Sequence, residues 1–418
     1  MDDITVTLSS RARRRAPSPI RELMPYLSVP GMISLGGGYP NPETFAFRRI
    51  EVALAGGGPT LLLEGADLHA ATQYGPTDVL PGLREPLTAW HRFKDGVAIG
   101  EAELLLLNGS QEGLYLVADV LLDEGDEVAV CEPTYPGALA AFRSFTDRFL
   151  AIPLDSEGMC VGELERILAG RRKRGEPMPK LIYTIPSGHN PAGVTLSEVR
   201  RQHLAELAIR YKVLIVEDDP YQLLQLDEDA ARLPTLQGLA RTHVLRLDSF
   251  SKILCPGLRL GYATGPAAII RAMNLHKQAS NLHTSTFAQA ILAVLLRAEG
   301  GEGLLKRIER AIALYRRNRD VMVEAAGWHL PPGVSLRVPG AGMFLWFTLP
   351  ESCDATRMVE QDARELQVLL VPGPAFSTQG GLRNAMRASY SMITPEQINE
   401  GMKRFAVMVK RELARAGR

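Results

Sequence analysis

Leu104-Leu105-Leu106-Leu107-Asn108-Gly109-Ser110-Gln111-Glu112-Gly113 runs from an unbroken apolar tetrad through a glycine turn into a helical pattern. An apolar run with no alternation suits a strand covered on both faces, the situation of strands in a parallel sheet. The same grammar recurs downstream: apolar runs at 127–131, 149–153, 180–185, 213–217, 244–248 and 258–264 alternate with helical patterns that start near Ser110, Tyr135, Val161 and Ser197. This alternation predicts an α/β fold with a mostly parallel sheet of about seven strands, flanked by helices. The last two runs are separated by only about ten residues, too few for a crossover helix, so one of that pair is expected to run antiparallel.

Further out the character changes. After Gly300 and Gly301 a helical pattern covers 304–326, and strand-like segments at 335–338, 343–349, 368–371 and 385–391 interleave with helices at 355–366 and 395–413. That predicts a smaller α+β domain at the C-terminus. The Pro- and Gly-rich beginning reads as an irregular arm. The expected layout is 1–47 for the arm and part of the small domain, 48–300 for the large domain and 301–418 for the small one. A chain of 418 residues suits two or three domains at roughly 150 residues each.

Lys+Arg and Asp+Glu both number 47, so 47 − 47 gives zero formal charge. Neither nucleic acid nor an anionic membrane is an expected partner of such a chain. Cys131, Cys160, Cys255 and Cys353 form no C-x-x-C pair, and with no apolar stretch of roughly eighteen residues a cytoplasmic location is expected. Arg11, Arg13, Arg14 and Arg15 form a basic cluster read as a solvated arm, since Asp2 and Asp3 spoil a transit peptide.

Four segments at strand ends carry candidate chemistry. The turn 108–113 offers unpaired N–H groups and a helix dipole to a phosphate, although it also reads as an ordinary strand-to-helix turn capped by Ser110. Ser249-Phe250-Ser251-Lys252, with Arg259 beyond it, supplies hydroxyl and guanidinium donors; Lys252 is either a surface lysine or a carbonyl-reactive amine. In Pro186-Ser187-Gly188-His189-Asn190-Pro191 the amide of Asn190 is either a turn former or a ligand contact. Glu217-Asp218-Asp219-Pro220-Tyr221 brings a carboxylate and a phenol, and His189 and His243 lack ligand spacing, so no metal is expected. Ligands of open α/β sheets bind at the carboxyl ends of the strands, so these segments can meet in one crevice. A lysine, a carboxylate, an amide, a phenol and a phosphate turn suit pyridoxal phosphate.

Pro17-Ser18-Pro19-Ile20-Arg21 and Ile33-Ser34-Leu35-Gly36-Gly37-Gly38-Tyr39-Pro40-Asn41-Pro42, together with these segments, resemble the class I aminotransferase family. That family is fold type I of the pyridoxal-phosphate enzymes; the resemblance covers nearly the whole chain and is greatest to the kynurenine/α-aminoadipate aminotransferase group. It implies Lys252 as the Schiff-base lysine, Asp218 on the pyridinium nitrogen, Asn190 and Tyr221 on the phenolate oxygen and Tyr135 over the ring face. Ser110, Gln111, Ser249, Ser251 and Arg259 are implied for the phosphate, joined by Tyr74 from the partner of a homodimer. Arg387, in Met386-Arg387-Ala388-Ser389-Tyr390, is implied for the substrate α-carboxylate, Arg21 for the substrate's distal end, and Gly38, Tyr39 and Asn190 for the substrate pocket. Lys252, Asp218 and Tyr221 are the implied catalytic residues. The implied reaction moves the amino group of an L-amino acid, aromatic, aminoadipate-like or similar, to a 2-oxo acid such as 2-oxoglutarate.

The departures concern substrate more than cofactor. Tyr39 stands where this group more often has leucine, Gly36 replaces a commoner alanine, and the segment holding Gly380 and Gly381 is shorter than in some relatives. The alternative on the same scaffold is β- or γ-elimination, replacement or carbon–carbon bond formation, which would use the same Lys252, Asp218 and Arg387. A ligand-sensing transcription regulator would carry a winged-helix module ahead of the 17–21 motif, and none is expected here.

Overall fold

The fold is that of a computed structural model, which describes residues 7–22, 26, 29–33, 35, 38–227 and 233–417. Its strands, in chain order, are β1 (Ile50–Val52), β2 (Leu61–Leu63), β3 (Leu104–Leu107), β4 (Glu127–Glu132), β5 (Arg148–Asp155), β6 (Gly158–Met159), β7 (Leu181–Thr184), β8 (Leu214–Asp218), β9 (Val244–Ser249), β10 (Gly261–Thr264), β11 (Ser335–Arg337), β12 (Phe344–Thr348), β13 (Val371–Pro372) and β14 (Ala385–Ser389). The large sheet is mostly parallel and has the order β3-β10-β9-β8-β7-β4-β5-β6. The apolar runs of the sequence are its strands, and β10 is antiparallel to both β9 and β3, as the short connection requires. The sheet has eight strands where about seven were expected. The additional one is β6, whose two residues are too few to show any periodicity.

The chain forms two compact units, residues 1–124 with 235–307 and residues 125–234 with 308–418. In the first, the four leucines of β3 are at most 1% exposed. Full burial of such a side chain contributes roughly 1.5–3 kcal/mol, so this strand is a strong local anchor. The short hairpin of β1 and β2, absent from the sequence reading, packs Leu61 and Leu63 on Ala71, Ala290 and Val294. The basic N-terminal cluster is partly tied down: Ser9 N donates to Val120 O at 2.8 Å, and Arg11 and Arg15 both pair with Asp119.

In the second unit β8, β7, β4 and β5 run parallel, with helices Val161–Arg174 and Glu198–Tyr211 following β6 and β7. Ser197 accepts from Arg200 N and starts the second of these helices, as its residue type predicts. The small domain is an antiparallel sheet in the order β11-β12-β14-β13, with Phe347, Met386, Tyr390 and Phe405 in its core. The strand expected at 368–371 is instead β13 at Val371–Pro372. Gln367 caps the preceding helix at φ 50°, and Leu369 points out at 76% exposure, so the chain is still leaving the helix there.

The expected helix at 304–326 is the second part of a longer one, Thr286–His329, broken at Gly300 with φ 61° and ψ −167°. Only glycine takes that backbone conformation readily, which explains the break. Among the described residues no helix is long and apolar enough to cross a membrane.

Candidate active site

The predicted residues fall into two sets, one in each unit. In the first, Gly109 links β3 to helix Ser110–Leu121 at φ +86°. A Cβ on Gly109 would lie 2.7 Å from Arg259 Nη2, and one on Gly261 would lie 2.6 Å from Asp248 O and 3.1 Å from Ser110 N. Both glycines are therefore required by close approach, and the helix start stays open for an anion.

Arg259 is a non-glycine residue in the left-handed region, φ 53° and ψ 46°, and its Nη2 donates to Asn108 O at 2.9 Å. A strained backbone that aims a guanidinium at such a turn is a common functional device. Ser249 ends β9 and its Oγ accepts from Ser251 N at 3.1 Å. Ser110, Ser251 and Lys252 are half-buried, while Gln111 is exposed. N–H groups, hydroxyls and a guanidinium form a donor set that fits a phosphate.

The first unit also brings Tyr39 and Tyr74 together, edge to face at 6.3 Å, with His283 against the other side of Tyr74 at 6.1 Å. Gln73 Nε2 donates to Pro40 O at 2.9 Å and fastens the two segments. Gly38 is exposed, and the side chain of Arg21 lies outside the described residues, as does Gly36.

In the second unit Asp218, the last residue of β8, accepts from Tyr183 Oη at 2.9 Å. Burial first, and then the Asp218 charge, push the phenols of Tyr183, Tyr221 and Tyr135 above their ordinary range. All three phenols therefore stay neutral donors. Tyr135 folds its ring over Gly137, where a Cβ would come within 2.4 Å of the ring.

Arg387 Nη1 donates to Asn190 Oδ1 at 2.8 Å. Its guanidinium carbon sits 4.2 Å from the Phe344 ring centroid and 5.1 Å from that of Phe376. Nε of Arg387 is buried with no hydrogen-bond partner among the described residues. A flat cation held between aromatic faces by a single amide is suited to a carboxylate. His189, beside Asn190, is pushed down to about 3 by burial and is neutral.

Sequence reading missed Tyr183, Phe344 and Phe376 as parts of this arrangement. It also missed a buried ionic cluster in the first unit. Lys94 Nζ is 2.9 Å from Asp248 Oδ1 and also pairs with Asp95; Arg246 Nε is 3.0 Å from Asp248 Oδ2 and 3.6 Å from Asp95. The signal was available in β9, where Arg246 and Asp248 stand as charges in a strand buried on both faces. His91, Asp95 and Asp248 bring three potential ligand atoms within 4.8 Å, but Lys94 and Arg246 answer the same carboxylates.

A mostly parallel α/β sheet with a phosphate-suited turn and a carboxylate-suited arginine is a scaffold that fits a phosphate-bearing cofactor and a carboxylate substrate. Residues 61–405 match the family described as aminotransferase class I and II, and the chain belongs to it. It is thus an aminotransferase, of a family whose chemistry depends on pyridoxal phosphate. Aromatic-amino-acid aminotransferase 1 of Thermococcus litoralis is 38% identical over 97% of this chain and 94% of its own. The mitochondrial kynurenine/alpha-aminoadipate aminotransferase of Rattus norvegicus is 35% identical over 96% of this chain and 98% of its own. The crystal structure of Pyrococcus horikoshii kynurenine aminotransferase, in complex with PMP, KYN as substrates and KYA as products, is 35% identical with a TM-score of 0.77, covering 97% of each chain.

Proposed function

We propose that the chain transfers the amino group of an aromatic or aminoadipate-like L-amino acid to a 2-oxo acid such as 2-oxoglutarate. The observation that carries this reading is Arg387, buried between Phe344 and Phe376 with Nη1 on Asn190 and Nε awaiting an acceptor. A guanidinium so placed grips a carboxylate bidentately and fixes the substrate's orientation. Relatives named for aromatic, kynurenine and aminoadipate substrates support the substrate class.

Bound pyridoxal phosphate would supply a ring that takes up the electron pair left when Cα loses its proton. In this reading residues 48–300 form the cofactor domain and residues 301–418 the small one. Ser110, Gln111, Ser249, Ser251 and Arg259 would hold the phosphate, and Tyr135 would serve the ring. Asp218 would keep a proton on the ring nitrogen, its carboxylate steadied by the hydrogen bond from Tyr183. Asn190 and Tyr221 present an amide and a neutral phenol to the phenolate oxygen. Lys252 would be the residue to hold the cofactor through its amine, and its Nζ would be the base for the Cα proton.

Tyr39 and Gly38 would bound the side-chain pocket, and Arg21 would serve the substrate's distal end. Tyr74 serves the phosphate of a partner subunit, a role supported by its 52% exposure and by the exposed Ile33 and Leu35 of the arm, which a homodimer would cover. Four free cysteines agree with a cytoplasmic setting.

The test is the visible spectrum of the purified protein as single L-amino acids are added without any 2-oxo acid. The expected result is conversion to the amine form of the cofactor with one 2-oxo acid released per site, the responding amino acid naming the donor class. Release of ammonia, or a lasting long-wavelength band with no 2-oxo acid, would hand the site to elimination or bond formation.

A further inference from the structure

The phosphate-suited turn contains an acid to which no role has been assigned. Glu112 lies in the first turn of helix Ser110–Leu121, and its carboxylate accepts from Asn108 N at 2.5 Å, from Asn108 Nδ2 at 3.3 Å and from the side-chain amide of Asn281. Since Asn108 O accepts from Arg259, the peptide groups on both sides of the Asn108 Cα are held and the turn's shape is fixed. A carboxylate suits a helix N-terminus, but it has the wrong sign beside a phosphate dianion.

Lys277, on helix Ala267–Ser280, answers that charge. Its Nζ is 3.0 Å from both Glu112 oxygens and 3.1 Å from Thr284 Oγ1, which donates to Leu106 O at 3.3 Å. An ammonium has three N–H bonds, and these three acceptors use them all. The Lys277 side chain is fully buried, so solvent does little to screen the pair.

We infer that Glu112 and Lys277 are matched positioning residues for the cofactor phosphate: Glu112 shapes the turn, and Lys277 cancels its charge so that the N–H groups and Arg259 meet the phosphate unopposed. This rests on the proposed reading that a pyridoxal-phosphate phosphate occupies the turn.

The test is equilibrium titration of the cofactor-depleted full chain with pyridoxal phosphate and with pyridoxal, the ratio of the two affinities measuring phosphate preference. Lys277→Met should lower that ratio about tenfold, the effect of one unneutralised carboxylate. Glu112→Gln, which keeps an acceptor for Asn108, should hold the ratio at or above wild type. The double variant should return to within about threefold of wild type, because charge balance is restored.

A Lys277→Met protein that loses both ligands equally overturns the inference, as does a double variant no better than the single. If Lys277→Met does not fold, the double variant decides: wild-type preference supports the pairing and a lost preference overturns it. Absence of phosphate preference in the wild type would instead remove the underlying cofactor reading, together with this inference.

Discussion

Asp218 and Asp248 are both aspartates at or next to the carboxyl end of a buried strand, and their surroundings give them opposite characters. Asp248 lies between Arg246 at 3.0 Å and Lys94 at 2.9 Å. Burial alone would raise it, but those cations hold its carboxyl below the usual range. Asp218 meets phenols instead: Tyr183 donates to it, and its charge raises Tyr135 and Tyr221. A carboxylate locked by guanidinium and ammonium serves the fold, whereas one met by a phenol donor is suited to a ligand cation.

The sharpest way to break this contrast is substitution at each aspartate. Asp218→Ala should cut the transamination rate by roughly 10^3-fold while leaving the unfolding midpoint nearly unchanged, since it removes charge placed for the reaction. An unchanged rate would end the assignment of Asp218 to the ring nitrogen. Asp248→Asn should do the reverse, lowering stability by about 4 kcal/mol because Arg246 and Lys94 lose their shared acceptor. Denaturant unfolding measures this, and full stability coupled to lost activity would merge the two aspartates into one class.

A smaller effect concerns His91, whose Nδ1 lies 3.3 Å from Tyr262 Oη. Burial first, and Lys94 next, lower its pKa from 6.5 to about 4. The unfolded chain therefore takes this proton near pH 6.5, while the fold resists it until about pH 4. Stability from neutral His91 is complete above the upper value and is lost as pH falls through the window. The His91-dependent loss should reach about 3 kcal/mol, one pKa unit being about 1.4 kcal/mol. His91→Gln should flatten that part of the pH profile; an identical acid slope in the variant would show that another group carries it.

The contrast between the aspartates was only half legible in the sequence. Asp218 stood out because Glu217-Asp218-Asp219-Pro220-Tyr221 closes an apolar run, and strand ends are where ligands bind. Asp248 was read as the last residue of a strand. Its partner Lys94 is 154 positions away, and no local period encodes such a meeting. The fold was legible for the same reason that these partners were not: β3, β4, β7, β8 and β9 declare themselves by apolar runs, which need only neighbours in sequence. β6 has two residues and β13 is short and half-buried, so neither gives a period to read. Tyr183 was hidden within the apolar run of β7, where its phenol looked like core. Arg387 could be singled out only through the family's motif, since its aromatic neighbours come from distant segments.

Gly188 and Gly342 meet backbone to backbone. A Cβ on Gly188 would meet the Gly342 nitrogen at 2.7 Å, and one on Gly342 would meet the Gly188 oxygen at 2.9 Å. Both residues have positive φ, 53° and 85°. Two backbones thus touch with no side chain between them, two residues before Asn190 and two before Phe344, the residues that hold Arg387. For anyone building a mutant library to change which amino acid this enzyme accepts, these positions are fixed points. Tyr39 and Gln379 are both exposed and take diversity more readily, whereas Gly380, at φ 75°, is as restricted in its backbone as the pair.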